Sequence, residues 1–246
     1  MKCRLFTLIA VVAIVAATGS LTSVHHAIAG GGGGALQISA GDAHTCAVLS
    51  GGTVWCWGGD YDSQLGGGAT ASSWTPVRVA GVSSASQVSA GDAHTCALIA
   101  GGTVECWGLN FDGQLGDGLI SHGHLNPEKE DVSLAPVQVS GITSALQVSA
   151  GSSHTRALIS GGTVECWGLG SALGDGVSNH GHKDADGADF SPIPVRVSGI
   201  TDAVAIDAGG WHTCALLSTG QVRCWGDGTS GQLGDGASVK FYERRR

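Results

Sequence analysis

The chain has 246 residues, 42 of them glycine, with 13% charged residues and a formal net charge of −8. High glycine with little charge suits a turn-rich, all-β protein whose hairpins need positive φ. The negative sign opposes phosphate-backbone binding and no basic stripe relieves it, so the sequence argues against a nucleic-acid partner.

Residues 1–29 read as a signal peptide. Lys2 and Arg4 give a positive start, Leu5 to Ala17 is an apolar run of 13 residues, and Ala27-Ile28-Ala29 is a small-x-small cleavage site. The run is too short to span a membrane, so the chain is not expected to be an integral membrane protein. Cleavage removes Cys3, Lys2 and Arg4, leaving seven cysteines and moving the net charge from −8 to −10. Residues 30–35 are a glycine-rich linker with no phosphate-loop lysine, and no nucleotide-binding role is assigned to them.

The rest of the chain repeats. Ile38 to Gly58, Val88 to Gly108, Val148 to Gly168 and Ile206 to Gly226 are versions of one stretch, starting 50, 60 and 58 residues apart. Such a period marks a repeat architecture. Within the second copy, two apolar runs flank Ala100-Gly101-Gly102, which reads as a three-residue hairpin loop. That register sets Leu98 opposite Val104 and Cys96 opposite Cys106. Directly opposed residues of a non-hydrogen-bonded pair are close enough for a disulfide. Cys46/Cys56 and Cys214/Cys224 share the spacing, so three cross-hairpin disulfides are expected. The third copy has Arg156 at the first cysteine position, which leaves Cys166 as a free thiol or an intermolecular link. Between copies come Pro-led runs at Pro76, Pro136 and Pro194. A unit therefore holds about four short strands, the make-up of a propeller blade.

The succession Ser-Ala-Gly-x-x-His-Thr-x-Ala-Leu, a tight turn, Val-x-x-Trp-Gly and Gly-Gln-Leu-Gly-Asp-Gly resembles the RCC1 repeat (regulator of chromosome condensation) over residues 36–236. The repeats fall at about 36–80, 81–140, 141–198 and 199–236. The resemblance implies an all-β propeller of four-stranded antiparallel blades, usually seven. Four repeats are present, a partial or small propeller. The cysteines depart from the eukaryotic pattern and look like a secreted bacterial version. Nucleotide exchange is what the family's founding member implies, and some secreted members inhibit extracellular enzymes.

The repeated polar and aromatic residues read as structural. A catalytic group has no reason to recur in every blade, whereas a packing or turn-bonding residue does. On that ground His44, His94, His154 and His212 are assigned to packing, and Trp57, Trp107, Trp167 and Trp225 to filling the gaps between blades. Asp117, Asp175 and Asp235 are read as turn formers.

The repeats differ most after the glycine turn. Seven residues (Ala69 to Thr75) precede the Pro-Val run in the first unit, against 17 in the second (Leu119 to Ala135) and 17 in the third (Val177 to Ile193). Insertions at one repeat position emerge on one face, often the binding face. Both carry His-Gly-His, at His122/His124 and His180/His182, followed by acids. Four imidazoles together would bind zinc. Asp184, Asp186 and Asp189 around Gly187 resemble part of a calcium loop, without its remaining ligands. The plainer reading, which we adopt, is two solvated loops descended from a duplication. No nucleophile elbow, His-Glu-x-x-His or phosphate loop is present.

After Gly236 the Pro-Val-x-Val run is missing, and residues 237–246 form a basic, non-repeat tail that reads as a truncated or interrupted end. Four repeats leave two blade faces uncovered, so self-association or closure into a small ring is expected. The sequence thus points to a secreted, non-enzymatic propeller that binds a protein or cell-surface component through its loop face. Its rivals are an exchange-type regulator and a metal-binding protein.

Overall fold

A computed structural model describes residues 34–68 and 70–236. The expected signal peptide, most of the expected linker and residues 237–246 lie outside the described residues. The first blade is the sheet β1 (Ala35–Ala40), β2 (His44–Leu49), β3 (Val54–Gly58) and β4 (Ser73–Arg78), in that order. The second repeats it with β5 (Ala85–Ala90), β6 (His94–Ile99), β7 (Val104–Leu109) and β8 (Val132–Gln138). The third has β9 (Ala145–Ala150), β10 (His154–Ile159), β11 (Thr163–Leu169) and β13 (Asp189–Arg196), with a two-residue β12 (His182–Lys183) added at the edge. The described residues of the fourth are β14 (Ala203–Ala208), β15 (His212–Leu217) and β16 (Val222–Gly226), in that order. Pro76, Pro136 and Pro194 fall where the pairing to the preceding hairpin strand breaks register, between Ser73 and Val77, Ser133 and Val137, and Ser191 and Val195, so the missing N–H costs no ladder bond.

The central hairpin has the expected register. Leu98 pairs with Val104 and Cys96 with Cys106, and Gly101 and Gly102 take φ of 101° and 90° to close the turn. Cys46–Cys56, Cys96–Cys106 and Cys214–Cys224 stand at Sγ–Sγ distances of 2.09, 2.13 and 2.05 Å, each with 4.1 Å between Cα atoms.

Consecutive blades are joined by one polar relay. His44 Nε2 lies 2.8 Å from Thr95 Oγ1, and that hydroxyl donates to the Gln64 carbonyl at 2.8 Å. The hydroxyl proton being spent, the imidazole must donate from Nε2. Trp107 Nε1 donates to the same carbonyl at 2.9 Å. Between the second and third blades the set recurs as His94, Thr155, Gln114 and Trp167. On the innermost strands, Gln37 bonds both backbone groups of Val88, Gln87 those of Val148 and Gln147 those of Ile206. Ser39, Ser89 and Ser149 accept from the next blade's Ala90, Ala150 and Ala208. His44, His94, Trp107 and Trp167 are therefore part of the inter-blade joint.

The third junction departs from this pattern. Where the second blade has Asn110 to Gln114, the third has only Gly170-Ser171-Ala172, which winds into a 3₁₀ turn. Ala172 stands in place of the glutamine. His154 Nε2, Thr213 Oγ1 and Trp225 Nε1 are buried without hydrogen-bond partners. Arg156 crosses this junction instead. Its fully buried Nη1 donates to the carbonyls of Asp207 (3.3 Å) and His212 (3.2 Å).

Arg156 pairs directly with Cys166, at the register of the three cystines. Cys166 is fully buried and burial pushes its thiol up to about 12. Of the two alternatives for Cys166 the structure has the free cysteine, and its burial opposes the intermolecular link. Burial also lowers the Arg156 guanidinium to about 10, with Nε and Nη2 unpartnered. Arg156→Cys should close a fourth disulfide with Cys166. The net gain should be about 2 kcal/mol, because a short-loop disulfide contributes about 2–3 and removing an under-satisfied buried charge offsets the lost bonds. The measurement is thiol titration of the unfolded, oxidised variant together with its denaturant midpoint. A Cys166 that stays titratable would rule the geometry out.

Candidate functional site

The two insertions form one structure built twice. Asp117, His122 and Asp131 have the same spacing as Asp175, His180 and Asp189. His122 Nε2 lies 3.0 Å from Asp117 Oδ2 and its Nδ1 2.7 Å from Asp131 Oδ2. His180 Nε2 lies 2.8 Å from Asp175 Oδ2, and its Nδ1 bonds Asp189 Oδ2. Each loop is thus pinned at both ends by one imidazole held between two carboxylates. The bond to Asp117 raises the pKa of His122 against the opposing effect of burial, and Asp131 adds to it. Burial works against the charge on His180 too, but its two aspartates outweigh it. The expected turn-forming role also holds for two of the aspartates: Asp117 Oδ1 accepts from the Leu119 N–H and Asp175 Oδ1 from Val177, both at 3.0 Å.

The tips match as well. Asn126 Oδ1 accepts from the N–H groups of Glu128 and Glu130, and Asp184 Oδ1 from those of Asp186 and Ala188. Lys129 and Gly187 occupy the same left-handed position, with φ of 69° and 82°. In the third blade the hairpin is regular enough to pair His182 with Phe190 and Lys183 with Asp189.

These contacts weigh against the metal alternative and favour the plainer reading adopted from the sequence. Both ring nitrogens of His122 and His180 are committed to carboxylates. His124 is exposed, and His182 packs against Phe190 with ring centroids 5.4 Å apart. The run containing Asp184, Asp186 and Asp189 is a hairpin turn closed by its own backbone, with Asp189 spent on His180. Among the described residues no group of three or more His, Cys, Asp or Glu is placed to hold a metal ion. The second-blade hairpin also leans towards the first blade, where Asn126 Nδ2 donates to Asp62 Oδ1 at 2.7 Å. Asn126 was not singled out from the sequence, and the signal for the pins was the duplicated Asp-x4-His and His-x8-Asp spacing.

The pinned loops present apolar side chains to solvent. Leu119, Ile120 and Leu125 are 54%, 59% and 62% exposed, and Val177, equivalent to Leu119, is 52% exposed. Solvent-facing aliphatic groups on loops that also expose Glu128, Lys129, Lys183 and Asp186 are what a docking surface offers a protein.

The chain matches the family described as "Regulator of chromosome condensation (RCC1) repeat" over residues 36–64, 85–114 and 203–232, and a second profile of the same description over 51–98 and 102–158. Residues 159–202, around the shortened third blade, fall outside those matches. The ultraviolet-B receptor UVR8 of Arabidopsis thaliana is 34% identical over 205 residues, 82% of this chain and 43% of that protein. The E3 ubiquitin-protein ligase HERC2 of Homo sapiens is 29% identical over 216 residues, 85% of this chain but 4% of that protein. Yeast RCC1 (Prp20) in its complex with Kap60 superposes with a TM-score of 0.73 at 22% identity, over 85% of this chain and 47% of that one. Human WBSCR16 gives 0.69 at 24% identity, over 86% and 52%. The chain thus spans about half the length of UVR8 and of the two solved structures, and a small part of HERC2. No helix among the described residues is long and apolar enough to cross a membrane.

Proposed function

The chain belongs to the RCC1-repeat family, and on that premise we propose that it is a secreted, non-enzymatic β-propeller that binds a protein or cell-surface component through its inserted hairpins. The observation that carries this reading is the doubly pinned hairpin, built twice with the same geometry and displaying Leu119, Ile120, Leu125 and Val177. Two identical staples spend carboxylates and imidazoles on holding a loop still, which lowers the entropy a partner must remove on docking. The apolar leader at residues 5–17 and the cysteine-bearing hairpins support an oxidising compartment. Yeast RCC1 (Prp20) has been solved bound to Kap60, and Prp20p has binding properties towards Gsp1p and histones, in keeping with a protein-binding role for the fold. An exchange-regulator role rests on fold likeness alone, and fold does not carry function.

The test uses the oxidised chain as bait on extracellular material, alongside Leu119→Asp/Ile120→Asp. Both side chains are exposed, so the variant keeps its fold. The wild type should retain a partner and the variant should lose about tenfold or more in retention. A partner held equally by both would move the site away from the hairpins. Nothing retained by either would end the reading.

A further inference from the structure

We propose that the cleft between the second and third blades receives an arginine side chain presented by a protein partner, with Glu165 as its counterion. The connection from Ser140 to Ser144, which leads from one blade to the next, forms one wall, and Ile159, Glu165 and Pro194 of the third blade form the other. The cleft measures about 210 Å³. Small-molecule sites run from about 300 Å³ upward, so this one takes a side chain and not a cofactor. Ile142, Ile159 and Pro194 supply apolar surface for an aliphatic stem, and Glu165 supplies a charge for its head.

The fourth blade shows what such a cleft holds. Arg223 stands at the register of Glu165, each two residues before the tryptophan of its blade, and Gly199 stands at the register of Gly141. Arg223 Nη1 donates to the Gly199 carbonyl at 3.2 Å. Gly199 and Gly141 share a left-handed backbone, with φ of 71° and 72°. A Cβ on Gly199 would meet Nη1 at 3.8 Å, whereas nothing lies within 4 Å of one on Gly141. The space that the chain's own guanidinium takes beside Gly199 is therefore open beside Gly141. Glu165 is shorter than an arginine and of opposite sign, so a guanidinium entering from outside meets both the carboxylate and the Gly141 carbonyl. Arginine suits this pair better than lysine, because its planar fork donates in two directions at once.

Glu165 itself lacks a close cation. It is half-buried, and the ion pairs among the described residues do not include it. Arg196, its cross-strand neighbour, acts on it at longer range. Burial outweighs that pull and raises the carboxyl pKa, so a cation brought into the cleft relieves the cost of its charge. The net charge of −8 draws basic partners. The cleft also adjoins the base of the second-blade hairpin. Ser140 Oγ donates to the Asp117 carbonyl at 2.7 Å, and the Gly118 N–H to the Pro192 carbonyl at 2.9 Å. Leu119 and Ile193, 54% and 48% exposed, therefore border it. That the arginine belongs to a protein rests on the binding role proposed above.

The experiment is solution NMR of the oxidised full chain, titrated with N-acetylarginine methylamide and with its neutral isostere N-acetylcitrulline methylamide, on the wild type and Glu165→Gln. Glutamine keeps the shape of a half-exposed side chain, so the variant folds, which its own spectrum verifies. In the wild type the arginine compound should shift the amide signals of Ile142, Thr143 and Ile159. It should bind about tenfold or more tighter than the citrulline compound, as for a charge-assisted pair. Glu165→Gln should remove that preference. Three results would each overturn the proposal: no shift at these residues up to about 50 mM, where a single contact of millimolar affinity registers; equal binding of the two compounds; or a preference that survives in Glu165→Gln. The compounds need only the cleft, so this result and partner capture by the hairpins can each fail with the other standing.

Discussion

Trp167→Ala is expected to cost about 4 kcal/mol, whereas the same change at Trp57 should cost the isolated chain under about 1. Trp167 is fully buried, lies over Gly116 and donates to Gln114 at 2.9 Å. Truncation removes the largest side chain of the junction and opens a cavity that neighbouring sheets cannot close without moving whole strands. Gln114 keeps the Thr155 hydroxyl, so the loss is packing more than hydrogen bonding. Trp225→Ala should fall between the two, since its ring fills the Gly174 hole but its Nε1 has no acceptor. The measurement is the denaturant midpoint of the variants under oxidising conditions. Equal costs at Trp57, Trp167 and Trp225 would mean that the tryptophans pack within blades and not between them.

What could be read in the sequence follows from how local each interaction is. The hairpin register needed only the facing of Cys96 and Cys106 across a Gly-Gly turn, all within 11 residues, and strand alternation does the rest. The structural role of His94 and Trp167 was legible from recurrence. Their partners were not: His94 reaches Thr155, 61 residues away, and Trp167 reaches Gln114, 53 residues away. Nor did sequence alone mark Gln37, Gln87 and Gln147 as joints, since a glutamine on a strand looks like any exposed polar residue.

The hairpins show a different kind of miss. The sequence pointed to both His-Gly-His pairs, and only the first histidine of each, His122 and His180, holds its loop. The adopted reading of two solvated loops did not foresee the pins, because one carboxylate of each pin lies upstream of its histidine and the acids weighed were those that follow it. Asp117, five residues upstream, was assigned to a turn and does form it with Oδ1, yet its Oδ2 holds the imidazole. A carboxylate has two oxygens with separate partners, and a pattern gives a residue only one label. Arg156 is similar. A lost cysteine looked like a vacant half-disulfide, while the guanidinium spans a junction that a two-residue shortening had stripped of its relay.

Acidification from pH 7 to pH 5 is expected to destabilise the fold by about 4 kcal/mol from His44 and His94 alone, before smaller opposing contributions. Burial lowers His44 to about 4 and His94 to about 3, and pushes His154 well below its usual value. Each relay needs the neutral imidazole that donates from Nε2, and protonation would place a charge in an apolar joint. The folded values lie below those of the unfolded chain. The stability is therefore complete above the unfolded value of about 6.5 and is lost as pH falls towards the folded one, at about 1.4 kcal/mol per unit for each group. Asp60, whose carboxyl burial pushes up to about 6, works in the opposite sense and offsets part of the loss. The hairpin pins oppose it too. The folded values of His122 and His180 are raised, so their charged contacts are fully present below about 6.5 and are lost as pH rises through the folded values. Acid thus loosens the joints between blades while holding the loops, and the two trends are separable by site. Urea midpoints should fall between pH 7 and pH 5, and His94→Gln, which keeps a donor towards Thr155 without titrating, should flatten the slope by about half. A midpoint independent of pH over that range would mean that the joints do not depend on neutral histidine.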